Sequence, residues 1–188
     1  MRVVVGLGNP GADYEGTRHN VGFAVAARLR DRVKAKPHER TQTYASWSAE
    51  NLIVLTPLTY MNRSGEALAE FGVAPEDVLV VVDDVYLPLG ALRLRARGGN
   101  GGHNGMASIE AGLGTDAYAR LRIGVGRGDR ELRDHVLSGF APEEEETLRD
   151  ALDAACDASL LWAREGVIAA MNRFNARIER DNAPEGER

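Results

Sequence analysis

A chain of 188 residues, 44% hydrophobic and 27% charged, has the size and make-up of one ordinary globular domain, not of a disordered, fibrous or membrane-embedded protein. Its single cysteine, Cys156, excludes an intramolecular disulfide; no apolar run nears the ~20 residues of a membrane span and Met1–Gly6 is too short for a signal peptide, so a cytoplasmic protein without a membrane partner is expected. The net charge of −5 weighs mildly against a nucleic-acid partner, but it is unevenly spread: eight arginines oppose five acids between Gly90 and His135, whereas twelve acids oppose six arginines from Val136 onward.

In chain order, Arg2 to Val5 is a β-branched run stopped by Gly6 and reads as a buried strand. Gly6 to Arg18 reads as a loop, and Asn20 to Val33 as a helix on the spacing of Val21, Val25, Leu29 and Val33, with Pro37 ending that region. Arg40 to Trp47 alternates polar with apolar and Leu52 to Leu55 is apolar, which predicts a hairpin. Ser64 is the expected N-cap of a helix that runs to Phe71 and stops at Gly72. Val78 to Val82 predicts a central strand covered on both faces, and Ala91 to Arg97 a half-exposed strand with its arginines outward. After the glycine-rich stretch Gly98–Gly105 come a short helix, Met106 to Leu113, and a strand, Leu121 to Val125. Pro142 to Phe174 predicts a long helix broken near Gly166, with Leu148, Leu152, Cys156 and Leu160 as its apolar stripe. Interleaved strands and helices argue for a single α/β domain, a three-layer α/β/α sandwich with a mixed, largely parallel sheet. It spans residues 1–178, and a polar, disordered tail is expected over 179–188.

Chemistry-bearing residues gather in the segments that follow strands, where α/β sheets build sites. Gly6-Leu-Gly-Asn-Pro-Gly11 matches a dinucleotide fingerprint, but Pro10, Gly11 and Asp13 make a poor first helical turn and no strand-end acid follows about 20 residues on. The alternative is a tight loop that points Asn9 into a cleft. His19, in Thr17-Arg-His-Asn20, falls near the same edge and is either structural or a base, whereas His38 and His135 have no suggestive context. In Thr59-Tyr60-Met61-Asn62-Arg63-Ser64-Gly65, Ser64 lacks the surroundings of a nucleophile and is better explained as a cap. Asn62 there is a turn residue or a donor to a ligand carbonyl. Asp83 and Asp84 end an apolar strand, so each must be solvated, paired or hydrogen-bonded. Paired with His19, one of them would fix the imidazole tautomer; with no cluster of His or Cys, they make a weak metal site. Gly98-Gly-Asn-Gly-Gly-His103-Asn104-Gly105 opens a helix whose N–H groups could cradle an anion, but it lacks the Lys-Ser/Thr of a phosphate-binding loop.

Together these segments, V-G-L-G-N-P-G-x-x-Y with T-R-H-N, T-Y-M-N-x-S-G, V-V-V-D-D-V-Y-L-P-x-G, G-G-N-G-G-H-N-G and R-L-R-I-G-V-G-R, resemble the bacterial peptidyl-tRNA hydrolase family from residue 2 to about residue 175. The resemblance implies a cofactor-free and metal-free enzyme that cuts the ester between a peptide and the 3′ end of tRNA, recycling tRNA from stalled or dropped-off peptidyl-tRNA. It implies His19 as general base, Asp83 as the group that holds its imidazole, and Asn9 as the residue that tells blocked from free aminoacyl groups. Asn62, His103 and Asn104 would bind substrate near the scissile ester, Tyr14, Tyr60 and Met61 would line the groove, and Arg93 and Arg95 would meet tRNA phosphate. A monomer is expected. Tyr86 and Val82 depart from the family pattern, where an acid and a polar residue are common. Two other readings stay open, a non-catalytic RNA-binding relative resembling organellar splicing factors and a nucleotide-binding protein working through Gly6–Gly11.

Overall fold

The computed structural model describes residues 1–128 and 131–175, so the expected tail over 179–188 lies outside the described residues. Seven strands form one sheet: β1 (Arg2–Gly6), β2 (Lys36–Arg40), β3 (Tyr44–Ala49), β4 (Leu52–Pro57), β5 (Val78–Asp84), β6 (Leu92–Arg95) and β7 (Ala119–Gly124). Their spatial order is β2-β3-β4-β1-β5-β7-β6. The central four, β4, β1, β5 and β7, run parallel, and β2, β3 and β6 are added antiparallel at the two sides.

Helices α1 (Val21–Arg32), α5 (Glu145–Glu165) and α6 (Val167–Phe174) cover one face, and α2 (Ser64–Phe71) and α3 (Asn104–Leu113) the other. The central strands are apolar without alternation because both faces are buried. On β5, Leu79 and Val81 pack under α1 and α5, while Val78, Val80 and Val82 pack under α2 and α3. This is the expected α/β/α sandwich, and no helix of the described residues is long and apolar enough to cross a membrane.

The parallel centre positions the site. β1, β4 and β5 end at the same edge of the sheet, and the backbone beyond β1 stays pinned there by the bond from Leu7 N to Val81 O, 3.0 Å. The loop glycines serve this packing. A Cβ on Gly6 would lie 2.2 Å from the carbonyl oxygen of Gly22 in α1, and one on Gly8 2.6 Å from the Phe23 ring. They let helix and strand approach closely, and no helix follows them directly; α1 begins only at Val21, after 3-10 turns at Ala12–Tyr14 and Arg18–Asn20. That is not the strand–turn–helix of a dinucleotide site.

Several boundaries differ from expectation. Arg40 belongs not to the first hairpin strand but to β2, a wholly exposed edge strand of sequence Lys-Pro-His-Glu-Arg that carries no apolar signal. The hairpin strand starts at Tyr44. Ser64 is the first residue of α2 and not its cap; its hydroxyl donates back to the Met61 carbonyl at 2.9 Å, inside the preceding turn Met61–Arg63. Gly72 does stop that helix, with φ 72°. The helix after the glycine-rich stretch begins at Asn104, two residues early, because His103 caps it. The long helix starts at Glu145 after a turn at Pro142–Glu144, and breaks at Gly166 as expected. A short helix, α4 (Leu132–Val136), was not foreseen.

Candidate active site

Asp83 is the hub of the site. It ends a strand buried on both sides and is 3% exposed, so its charge must find partners. Two imidazoles supply them. His19, on the turn Arg18–Asn20, places Nδ1 3.0 and 3.1 Å from the two carboxylate oxygens. His103, at the start of α3, places Nε2 2.8 Å from Oδ1. Burial alone would raise the Asp83 carboxyl, but the hydrogen bonds from His103 and His19 outweigh it and hold it down at about 2. Asp83 is therefore an anion throughout the physiological range, and each facing ring nitrogen carries a proton. In a neutral His19 ring the lone pair then lies on Nε2, which has no hydrogen-bond partner among the described residues.

Asn9 is oriented as tightly. Asn20 clamps its backbone on both sides, accepting from Asn9 N at 2.8 Å through Oδ1 and donating to Asn9 O at 2.9 Å through Nδ2. The Met61 N–H then donates to Asn9 Oδ1 at 2.7 Å. The side-chain oxygen is thus committed, and the Asn9 amide group that lines the cleft is a donor.

These groups open into a cleft of about 570 Å³. It brings together Asn9, Tyr14, His19, Tyr60, Met61, Asn62, Asp83, His103 and Asn104, residues from five separate segments of the chain. Asn62 and Asn104 are exposed, and Tyr14 and Tyr60 meet edge to face with centroids 6.2 Å apart, forming an aromatic wall. Arg93 and Arg95 do not line the cleft; they sit on β6 at the sheet edge. A second hollow of about 520 Å³ borders the Gly11–Thr17 segment and shares Asn9 with the cleft; it is lined also by Phe23, Trp47 and Phe140 and contains neither a histidine nor a buried carboxylate.

The two acids divide their work. Asp84 pairs with Arg122 at 3.2 Å and accepts the Tyr86 N–H at 2.8 Å, taking no part in the histidine cluster. The two family departures lie off the cluster as well. Val82 points into the core beneath α2 and α3, and Tyr86 is an exposed rim residue with the Arg127 guanidinium over its ring.

One expectation changes. The helix start at Asn104 is not an open anion cradle, because His103 Nδ1 already accepts the N–H groups of Gly105 and Met106 at 3.1 and 3.4 Å. His103, expected as a substrate contact, lines the cleft and is also bonded to Asp83. One cleft wall, formed by Leu132, Arg133, Val136 and Leu137, comes from the unforeseen α4 and the residue that ends it. The clamp by Asn20 was also missed, although Asn20 stands beside His19 in the same motif.

His19, Asp83 and His103 bring three potential metal-ligating atoms within 4.8 Å of one another. The proton positions speak against a metal there. With Nδ1 of His103 receiving two backbone N–H groups, its Nε2 must carry the proton, and a protonated nitrogen has no lone pair for an ion.

The chain is similar throughout its length to proteins of one kind. A family model described as peptidyl-tRNA hydrolase matches residues 3–183. A peptidyl-tRNA hydrolase of Salinibacter ruber is 43% identical over 182 residues, 92% of this chain and 97% of that one, and one of Halalkalibacterium halodurans is 42% identical over 186 residues, 93% and 100%. The crystal structure of peptidyl-tRNA hydrolase from Acinetobacter baumannii superposes with a TM-score of 0.84 at 34% identity, covering 94% of this chain and 95% of that one. With the sheet, the cleft and the sequence in agreement, the chain belongs to the peptidyl-tRNA hydrolase family.

Proposed function

We propose that the protein hydrolyses the ester linking a peptide to the 3′-terminal ribose of tRNA, with water as nucleophile and His19 as general base. The observation that carries this reading is the 3.0 Å bond between His19 Nδ1 and the buried Asp83 carboxylate, which holds the ring by one nitrogen and leaves Nε2 without a partner among the described residues. Nε2 takes the proton from water, the water oxygen attacks the ester carbonyl, and the ribose hydroxyl leaves with a returned proton. General-base assistance of this kind contributes roughly 10²–10⁴ in rate.

The donors around the ring supply the rest. The amide groups of Asn62 and Asn104 face the developing oxyanion, and one such donor typically contributes ~3 kcal/mol. The oriented amide of Asn9 reads the blocked amino group of the peptide, so that free aminoacyl-tRNA is spared. Tyr14, Tyr60 and Met61 shape the groove for the terminal adenosine and the peptide. Arg93 and Arg95 meet tRNA phosphate outside the cleft, where bidentate guanidinium contact needs no burial. An ester with a ribose leaving group is activated enough to need neither metal nor covalent nucleophile. The protein acts as a monomer in the cytoplasm, where tRNA is used.

The deciding experiment offers N-acetyl-aminoacyl-tRNA and unblocked aminoacyl-tRNA to the protein with a metal chelator present. Rapid release of N-acetyl-amino acid with the unblocked ester spared is the expected result. No cleavage of the blocked ester, or cleavage abolished by the chelator, would overturn the proposal.

A further inference from the structure

The reaction proposed above uses one of the two imidazoles on Asp83, and the other has a geometry of its own. His103 spans two structures. Its Nδ1 caps α3 by accepting the N–H groups of Gly105 (3.1 Å) and Met106 (3.4 Å), and its Nε2 lies 2.8 Å from Asp83 Oδ1. A backbone N–H always donates, so Nδ1 must hold a lone pair and the ring's only proton sits on Nε2. The helix N-terminus thus chooses the tautomer, and that tautomer gives Asp83 a fixed donor. The carboxylate is clamped between two rings whose centroids are 5.0 Å apart. A His19 ring turned to present an unprotonated nitrogen to this anion would set two acceptors face to face in a buried place. The second ring is neutral, so it brings no like charge against the imidazolium formed at His19 during turnover.

We infer that His103 is a positioning residue, which transmits the orientation of the α3 N-terminus through Asp83 to the His19 ring, holding it as the Nδ1–H tautomer. The inference rests on the hydrolase reading for its kinetic consequence but not for its structural one. It also replaces substrate contact as the role of His103.

The informative variant is His103→Asn. An asparagine oxygen caps a helix well but is too short to reach Asp83, so the variant keeps the cap and removes the clamp. The expected outcome with N-acetyl-aminoacyl-tRNA is a kcat lowered about tenfold to a hundredfold with KM within about twofold of wild type. The thermal midpoint should stay near that of wild type. In long-range ¹⁵N–¹H spectra of the imidazoles at about pH 7, wild-type His103 should appear as the Nε2–H tautomer and His19 as Nδ1–H; in the variant, His19 should spread over both forms. A raised KM with unchanged kcat would make His103 a substrate contact and overturn the inference, as would wild-type kinetics throughout. A wild-type His103 protonated at Nδ1 would overturn it without any assay. That spectrum also decides the matter if the variant fails to fold or if the wild type cleaves no peptidyl-tRNA, in which case the hydrolase reading alone falls.

Discussion

The Asp83 cluster and the arginine edge are both charged, and they are built in opposite ways. Around Asp83 the charge is matched before any substrate arrives, one anion between two ring nitrogens at 2.8 and 3.0 Å. At the edge, Arg93 and Arg95 on β6 lie opposite Arg122 and Arg120 on β7. Like charges facing across a strand pair repel, and the inner two resolve this by turning to backbone. Arg120, 1% exposed, donates to the carbonyls of Gly98 and Asp116, and Arg122 to those of Gly99 and Asn100 and to Asp84. The outer two have no acidic partner among the described residues. Bond making needs charge fixed in advance in a dry place, whereas a long phosphate backbone can be met by solvated charge that keeps its freedom. The inner arginines also brace the glycine-rich turn, where Gly101 and Gly102 take φ values of 63° and 80° that other residues rarely adopt.

Four measurements test this contrast, from the strongest expected effect to the weakest. His19→Ala should lower kcat by roughly 10²–10⁴ while leaving tRNA affinity near wild type; a variant with wild-type turnover would remove His19 as the base. Asn62→Ala and Asn104→Ala, made singly at exposed positions with little structural cost, should include one loss of about 10²–10³ in kcat. If both keep wild-type rates, the oxyanion donors lie elsewhere.

The third concerns stability. Asp83 is held at about 2 in the fold against an ordinary 3.8, so the stability it contributes is complete above that ordinary value and is lost as pH falls through about 2. In urea titrations between about pH 4 and about pH 2, wild type should lose about 2 kcal/mol more than Asp83→Asn loses. Parallel curves would show that the carboxylate is not clamped. The smallest effect belongs to the edge. The double substitution Arg93→Gln and Arg95→Gln should leave kcat intact and weaken tRNA binding mainly at low salt, flattening the log–log salt dependence by about 1 to 2 units. A loss independent of salt would mean that these arginines do not touch phosphate.

Much of the site was legible because it is made of segments that cannot serve a core. Asn9, His19, Asn62, Asp83 and Asn104 each stand where an apolar strand or a helix boundary gives way to polar residues, which is the pattern of a loop at the ligand edge. The partners of those residues were harder to read. His103 lies 20 positions from Asp83, and nothing local shows that its ring faces the carboxylate and not the solvent. Asn20 looks like an ordinary helix-start residue until its amide is seen clasping the Asn9 backbone. β2 was invisible because a strand with no buried face has no hydrophobic period to detect.

By itself the sequence determined the α/β class, the central strands, the break at Gly166 and the identity of the polar groups at the sheet edge. Apolar periodicity and turn chemistry act over a few neighbouring residues and are written directly in the order of side chains. Only the tertiary structure decided which nitrogen of His19 and of His103 faces the carboxylate, which of two adjacent aspartates joins them, and which arginines turn to backbone carbonyls. Those outcomes depend on hydrogen bonds across 20 to 64 residues of chain, whose geometry exists only once the sheet has brought the loops together.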